Sequence, residues 1–157
     1  MRLTEFTDHA LRLLMYLGAC RGRLVTIDEV ACEYGMSRNH LAKVVNELAA
    51  EGVIATVRGR CGGILLARDP RDIRLGEIVR RTEPNFHMAQ CFGGDGAAAA
   101  CRFGAACRLR QSLAEATEAY LAALNRLSLA DLLGAAVTPV PGLQAAGPVP
   151  PTKESIP

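Results

Sequence analysis

TIDEVACEYGMSRNHLAKVVNELAAEGVIATVRGRCGGILLA, residues 26–67, carries the signals that decide the fold. Thr26 and Glu29 have the spacing of a capping box, with Thr26 as N-cap and Glu29 reaching back, so a short helix is expected to about Tyr34. Gly35 supplies a turn. Ser37 can cap a second helix from Arg38 to about Glu51, whose apolar face is Leu41, Val44, Val45 and Leu48. Two short helices joined by a three- or four-residue turn with Gly make a helix-turn-helix. After Gly52 the pattern predicts two short strands, Val53–Val57 and Ile64–Ala67. They flank the Gly-rich basic hairpin Arg58-Gly-Arg-Cys-Gly-Gly63. A hairpin directly after a helix-turn-helix is a wing.

In that arrangement the second helix lies in the major groove and offers its N-terminal residues to base edges. Here these are Ser37, Arg38, Asn39 and His40, with Lys43 and Asn46 a turn or two further on. Arg suits guanine, Asn suits adenine and Lys suits phosphate. Alone, the segment reads equally well as a capped surface helix. The hairpin tips the balance, because small residues at a tip allow close approach to DNA and Arg58 and Arg60 can enter the minor groove. His40 is expected to face DNA or solvent rather than bind metal.

Outward from this core, helical spacing of Phe6, Ala10, Leu13, Leu14 and Leu17 predicts a first helix from about Thr4 to Cys20, ended by Gly22. Ile73, Ile78 and Val79 mark a short amphipathic helix from Ile73 to Arg81. A long helix is expected from about Cys107 to Leu127, with Leu109, Leu113, Ala116, Tyr120, Leu124 and Leu127 on one stripe. Ser128-Leu-Ala-Asp131 can cap a last turn to Leu133. The stripe could pack on its own domain, but the helix outruns a compact winged domain and so favours a helix–helix dimer. From Thr138 onward Pro and Gly dominate, which reads as a disordered tail. The expected fold is mainly α: a winged helix-turn-helix domain (1–82), a cysteine-bearing cluster loop (83–106), a C-terminal dimerisation helix (107–134) and a tail (135–157).

The loop carries the chemistry. In AQCFGGDGAAAACRFGAACRLR, residues 89–110, Cys91, Cys101 and Cys107 are set in a background of Gly and Ala that offers little core. Three thiolates on such a loop suit a soft-metal site, with an iron–sulfur cluster as the leading candidate. Zinc is the alternative, but no tight Cys-x2-Cys knuckle is present. Buried free thiols are the plainer alternative, and Gly and Ala provide little to bury them. Cys107 falls at the start of the long helix, where the dipole favours thiolate. Cys20 and Cys32 lie among apolar helical residues and read as core. Cys61, beside Arg60 in the wing, reads as exposed, with a second redox handle as the minor alternative. His87 is a minor ligand candidate.

Composition bounds the rest. Half of the 157 residues are apolar, so a core can form, but with no Trp it must be built from Leu, Val, Ile and Ala. Net charge is only +2, so the basic signal is local: Arg58, Arg60 and Arg68 occur with no acid between Val53 and Arg68. The apolar run from Ala10 to Cys20 is broken by Arg12 and preceded by Glu5 and Asp8, unlike a secretory signal. No stretch is long enough to span a membrane. Six Cys without an export signal point to metal or redox chemistry rather than disulfides, and place the chain in a reducing cytoplasm.

The opening MRLTEFTDHALRLLMYL, the segment SRNHLAKVVNEL, the wing RGRCGGILLA, and IVRRTEPNF followed by Cys resemble the NsrR repressors, nitric-oxide-sensing winged-helix iron–sulfur regulators. The resemblance covers residues 1 to about 133. It implies a cytoplasmic homodimer that binds double-stranded promoter DNA while its cluster is intact and releases it when nitric oxide nitrosylates the cluster. It also implies control of nitric-oxide-detoxifying enzymes such as flavohaemoglobin. Carried over, Cys91, Cys101 and Cys107 are the cluster ligands, and Asp8 matches a carboxylate supplied by the other protomer as fourth ligand. Without the resemblance, Asp8 reads as a first-turn helix acid. A 4Fe–4S cluster is expected in preference to 2Fe–2S, and three thiolates leave one iron of such a cube without protein sulfur. A carboxylate there is a more exchangeable ligand than thiolate.

The nine-residue gap between Cys91 and Cys101 is longer than in several relatives, and it contains Asp95, a rival oxygen ligand. The cluster-assembly regulator IscR uses a His shortly after the third cysteine, where this chain has Arg110 and no His. The iron-responsive regulator RirA tends to lack the acid matching Asp8. A sensor of iron or cluster supply is the alternative within regulation. An enzyme or electron-transfer protein is the alternative outside it, but no cofactor fingerprint or paired acid/base constellation is present, and the recognition helix and wing would go unexplained.

Overall fold

The computed structural model describes residues 2–93 and 107–135. Cys101, Asp95 and the tail from Thr138 therefore lie outside the described residues. Among the described residues, six helices and one hairpin follow in the order α1 (Glu5–Ala19), α2 (Ile27–Tyr34), α3 (Arg38–Ala50), β1 (Ile54–Val57), β2 (Gly63–Leu66), α4 (Leu75–Thr82), α5 (Arg108–Asn125) and α6 (Leu129–Ala135). Single 3₁₀ turns at Pro70–Asp72 and Gln90–Phe92 flank α4 and its following loop. None of the described helices is long and apolar enough to cross a membrane.

Helix α1 is the hub. Thr4 caps it by accepting from the Thr7 N–H at 3.3 Å. Its buried face is Ala10, Leu13, Leu14 and Leu17, close to the predicted stripe. These pack with Val30 of α2, with Leu41, Val44, Val45 and Leu48 of α3, and with Ile54, Ile64, Ile78 and Leu129. The core therefore joins the DNA-binding elements to α4 and α6. Gly18 of α1 faces Leu133 of α6, and a Cβ there would lie 2.5 Å from the leucine methyl, so small size at this position lets α6 pack down.

The helix-turn-helix forms as expected. Gly35 closes α2 at φ +62, the left-handed conformation that favours glycine, and its N–H donates to the Ala31 carbonyl. Two capping details differ. Thr26 accepts from the Glu29 N–H at 3.2 Å, but the Glu29 carboxylate does not return to Thr26; Arg23 and Tyr16 hold it instead. Charge-assisted bonds to a guanidinium outcompete one to a neutral amide. Ser37 occupies the N-cap of α3, but its hydroxyl makes no cap bond.

The hairpin pairs Ile54 with Leu66 and Val57 with Gly63, antiparallel, with strands shifted by about one residue from expectation. A bridge from Val25 to Ile64 adds a third segment that the sequence did not announce. It forces glycine at position 63, where a Cβ would lie 2.7 Å from the Val25 carbonyl. Helix α4 begins at Leu75 rather than Ile73, because Pro70–Asp72 forms its own turn and Ile73 is extended after it. At α6 the predicted cap is complete. Ser128 Oγ accepts from the Asp131 N–H at 3.3 Å, and Asp131 accepts from the Ser128 N–H at 2.7 Å. Cys20 is buried as expected, whereas Cys32 is exposed, because the inner face of the short α2 is taken by Val30 and Ala31.

Candidate DNA interface and metal centre

Recognition-helix residues divide by face. Leu41, Val44, Val45 and Leu48 point into the core, which turns Arg38, Asn39, His40, Lys43 and Asn46 outward, all exposed, with Ser37 exposed just before them. Arg38 already has a partner, the Asp28 carboxylate in the first turn of α2. Both side chains are more than half exposed, so this pair contributes no more than about 1 kcal/mol and yields readily to a stronger acceptor. His40 faces His9 of α1, with ring centroids 6.3 Å apart. Together with Arg2, Glu5 and Lys43 they line a groove of about 590 Å³ beside the recognition helix. Arg2 and His9 are interface candidates that sequence reasoning missed; only packing brings the chain start against α3.

The wing tip is a tight turn in which the Gly62 N–H donates to the Gly59 carbonyl at 3.0 Å, leaving Arg60 and Cys61 at its apex. Gly59 adopts φ +122, and a Cβ on Gly62 would lie 2.3 Å from the Val57 carbonyl, so both glycines are required by the turn. Arg58, Arg60 and Cys61 are exposed, as expected.

A polar network fixes α2, which precedes the recognition helix, against α1. Tyr16 of α1 donates its phenol to Glu29 at 2.8 Å, and Arg23 donates to the same carboxylate at 3.0 Å. The Arg23 hydrogen bonds hold the Glu29 carboxyl below its ordinary pKa. Burial, followed by the Glu29 contact, pushes the Tyr16 phenol up. Burial likewise raises the Cys20 thiol, which keeps it protonated and unreactive.

The cysteine-bearing segment begins where α4 ends, and it is tied to the start of α1. Glu83 Oε1 accepts from the Thr4 N–H at 2.7 Å and from its hydroxyl at 3.1 Å. Further on, the Thr117 hydroxyl of α5 lies 3.2 Å from Met88 Sδ. Cys91 follows in the 3₁₀ turn, and Cys107 is the N-cap of α5, its thiol making no capping bond. Both thiols are free and half-buried. The Arg110 guanidinium lies over the Phe92 ring at 5.6 Å, bridging the two arms. A groove of about 300 Å³ opens among Phe92, Cys107, Arg110, Gln111 and Ala114. The Cys107 thiol lines this groove beside a cation, and Cys91 directly precedes the Phe92 that also lines it, a donor chemistry that suits a soft, anionic metal–sulfur group. Among the described residues, no three His, Cys, Asp or Glu side chains converge on one point. Cys101 lies outside those residues, and His87 is exposed.

Asp8, half-buried on α1, forms an ion pair with Arg12 one turn later at 2.9 Å. Arg12 also lies over the Tyr34 ring at 6.0 Å, and Tyr34 is the last residue of α2. Asp8 is thus linked through one side chain to the turn of the helix-turn-helix.

Helix α5 buries only Thr117 and Leu121, with α4 packed beside it. Of the predicted stripe, Leu109 is 66% exposed and Leu127 42%, Ala116 is exposed, and Leu113, Tyr120 and Leu124 are half-buried.

Comparison with known proteins agrees with this architecture. The family model Rrf2, described as "Iron-dependent Transcriptional regulator", matches residues 3–135. The HTH-type transcriptional regulator NsrR of Bacillus subtilis (strain 168) is 45% identical over 134 residues, 85% of this chain and 90% of the relative. The protein of the same name from Geobacillus kaustophilus (strain HTA426) gives the same identity and coverage. Among solved structures, T. potens IscR superposes with a TM-score of 0.67 at 23% identity, covering 85% of this chain and 87% of that one, a likeness of fold.

Proposed function

The chain belongs to the Rrf2 family of transcriptional regulators, and we propose that within it the protein is a homodimeric, nitric-oxide-responsive repressor. Cys91, Cys101 and Cys107 would hold an iron–sulfur cluster, 4Fe–4S in preference to 2Fe–2S, with the partner's Asp8 as fourth ligand. When bound, the cluster supplies iron that reacts with nitric oxide.

The observation that carries this reading is the double tie of α1. Its N-cap is bonded to the start of the cysteine segment through Thr4 and Glu83, and Asp8 reaches the helix-turn-helix through Arg12 and Tyr34. Ligation of a metal through Asp8 would withdraw charge from its ion pair with Arg12 and weaken it. A change in what Asp8 binds therefore changes what Arg12 leans on at the end of α2. Tyr16, Glu29 and Arg23 tie α1 to α2, so such a change would act on the helix-turn-helix through the end of α2. Exposed Leu109 on α5 and Leu127 just after it support a dimer, because they gain a dry environment only against another surface. On DNA, Ser37, Arg38, Asn39, His40 and Lys43 would face the major groove, and Arg58 and Arg60 the minor groove or phosphates.

Iron and sulfide analysis of anaerobically prepared protein tests the ligand set. Cys91→Ala, Cys101→Ala and Cys107→Ala should each abolish cluster uptake, while the exposed-site control Cys32→Ala should keep it. Full iron content in Cys107→Ala overturns the assignment. The family description favours a second reading, in which the protein responds to iron or cluster supply. That reading predicts DNA release on iron depletion and indifference to nitric oxide.

A further inference from the structure

We propose that Arg110 is the positioning residue of the thiolate site: it pins the Cys91 arm to the Cys107 arm through the Phe92 ring, and places a positive charge beside the group they hold. This rests on the cluster reading above. Phe92 directly follows Cys91. Arg110 lies three residues after Cys107, a spacing that puts the two on one face of a helix start. The Phe92–Arg110 contact at 5.6 Å therefore ties the chain next to Cys91 to the helix turn that Cys107 caps, 16 positions further along the sequence.

The charge is available for this use. Among the described residues, Arg110 takes part in no ion pair, whereas Arg80 and Arg81 on α4 are paired with Glu118 and Glu51. It is half-buried and lines the groove with Cys107. A guanidinium has no lone pair to give a metal, so it acts on the site by field and by stacking. Thiolates crowded on one centre repel, and a fixed cation favours their assembly and retention. Arg108 is the natural control. It carries the same charge on the same helix turn, but it is exposed and makes no contact with an aromatic ring among the described residues.

The chain contains no Trp, so Phe92→Trp places a single fluorescent reporter at the pin. In full-length protein without metal, adding Arg110→Gln should raise acrylamide quenching of that reporter about twofold, and Arg108→Gln should leave it unchanged. In cluster-loaded protein under anaerobic conditions, Arg110→Gln should speed iron loss to a chelator at least tenfold, Arg108→Gln less than twofold, and Arg110→Lys should restore most of the retention. Unchanged quenching in Arg110→Gln overturns the pin. Equal acceleration in Arg108→Gln overturns the positioning role in favour of net charge. Wild-type protein that takes up no iron overturns the cluster reading, while the quenching comparison still decides whether the pin exists.

Discussion

Gly76 is where the position of α5 can be measured as an energy. A Cβ built there would lie 2.6 Å from the Leu121 carbonyl oxygen and 2.4 Å from Asn125 Oδ1. The Asn125 side chain is flexible and can turn away. The carbonyl belongs to the α5 backbone and falls roughly 0.9 Å short of an ordinary heavy-atom contact of about 3.5 Å. Gly76→Ala must therefore push α5 off α4, at an overpacking cost of about 1–3 kcal/mol. Helix propensity offsets up to about 1 kcal/mol of that. Gly134→Ala in α6 supplies the reference, since among the described residues nothing lies within 4 Å of its Cβ position and the propensity gain stands alone. Urea unfolding of the two variants without metal should thus show Gly76→Ala less stable than Gly134→Ala by about 1–3 kcal/mol. Equal stability of the two would refute the close α4–α5 contact, and with it the rigid connection between the DNA-binding body and the helix that carries Cys107.

Further outcomes follow from other parts of the molecule. Arg38→Ala should weaken binding to a duplex selected from a random-sequence library by about 1–3 kcal/mol and relax base preference, whereas Arg60→Ala should weaken selected and scrambled duplexes alike; the roles are reversed if only Arg60→Ala changes specificity. Glu29 has a lowered carboxyl pKa in the fold, so its stabilisation is complete above the unfolded value of about 4.3 and is lost as pH falls through the lower folded value. Thermal unfolding of Glu29→Gln should accordingly lie below wild type at neutral pH and converge with it in acid. Parallel curves would remove Glu29 from the α1–α2 register.

The wing and helix-turn-helix were legible because their signals are local: a turn glycine at 35, a helical stripe from Leu41 to Leu48, and glycines at 59, 62 and 63 around two arginines. What escaped depends on partners distant in sequence. Glu29 matches the capping pattern, but Arg23 and Tyr16 compete for its carboxylate. Cys32 has apolar neighbours, but α2 is too short to bury a second face. The strand-like bridge at Val25 has no pattern of its own and exists because Ile64 reaches it. The proposed thiolate site was legible as composition, three cysteines in a Gly and Ala background. The Phe92–Arg110 contact was not, since neither residue matters until the two arms are folded together. The proposed Asp8 role came only through the resemblance; the Arg12 and Tyr34 contacts that join Asp8 to the end of α2 became visible only in the fold.

Affinity for a selected duplex, measured anaerobically on one cluster-loaded sample before and after stoichiometric nitric oxide, is the most direct test of the switch. The account predicts tight binding before, loss of binding after, and a much smaller ratio of the two affinities in Asp8→Ala. Binding that survives nitric oxide but disappears when iron is removed would contradict it.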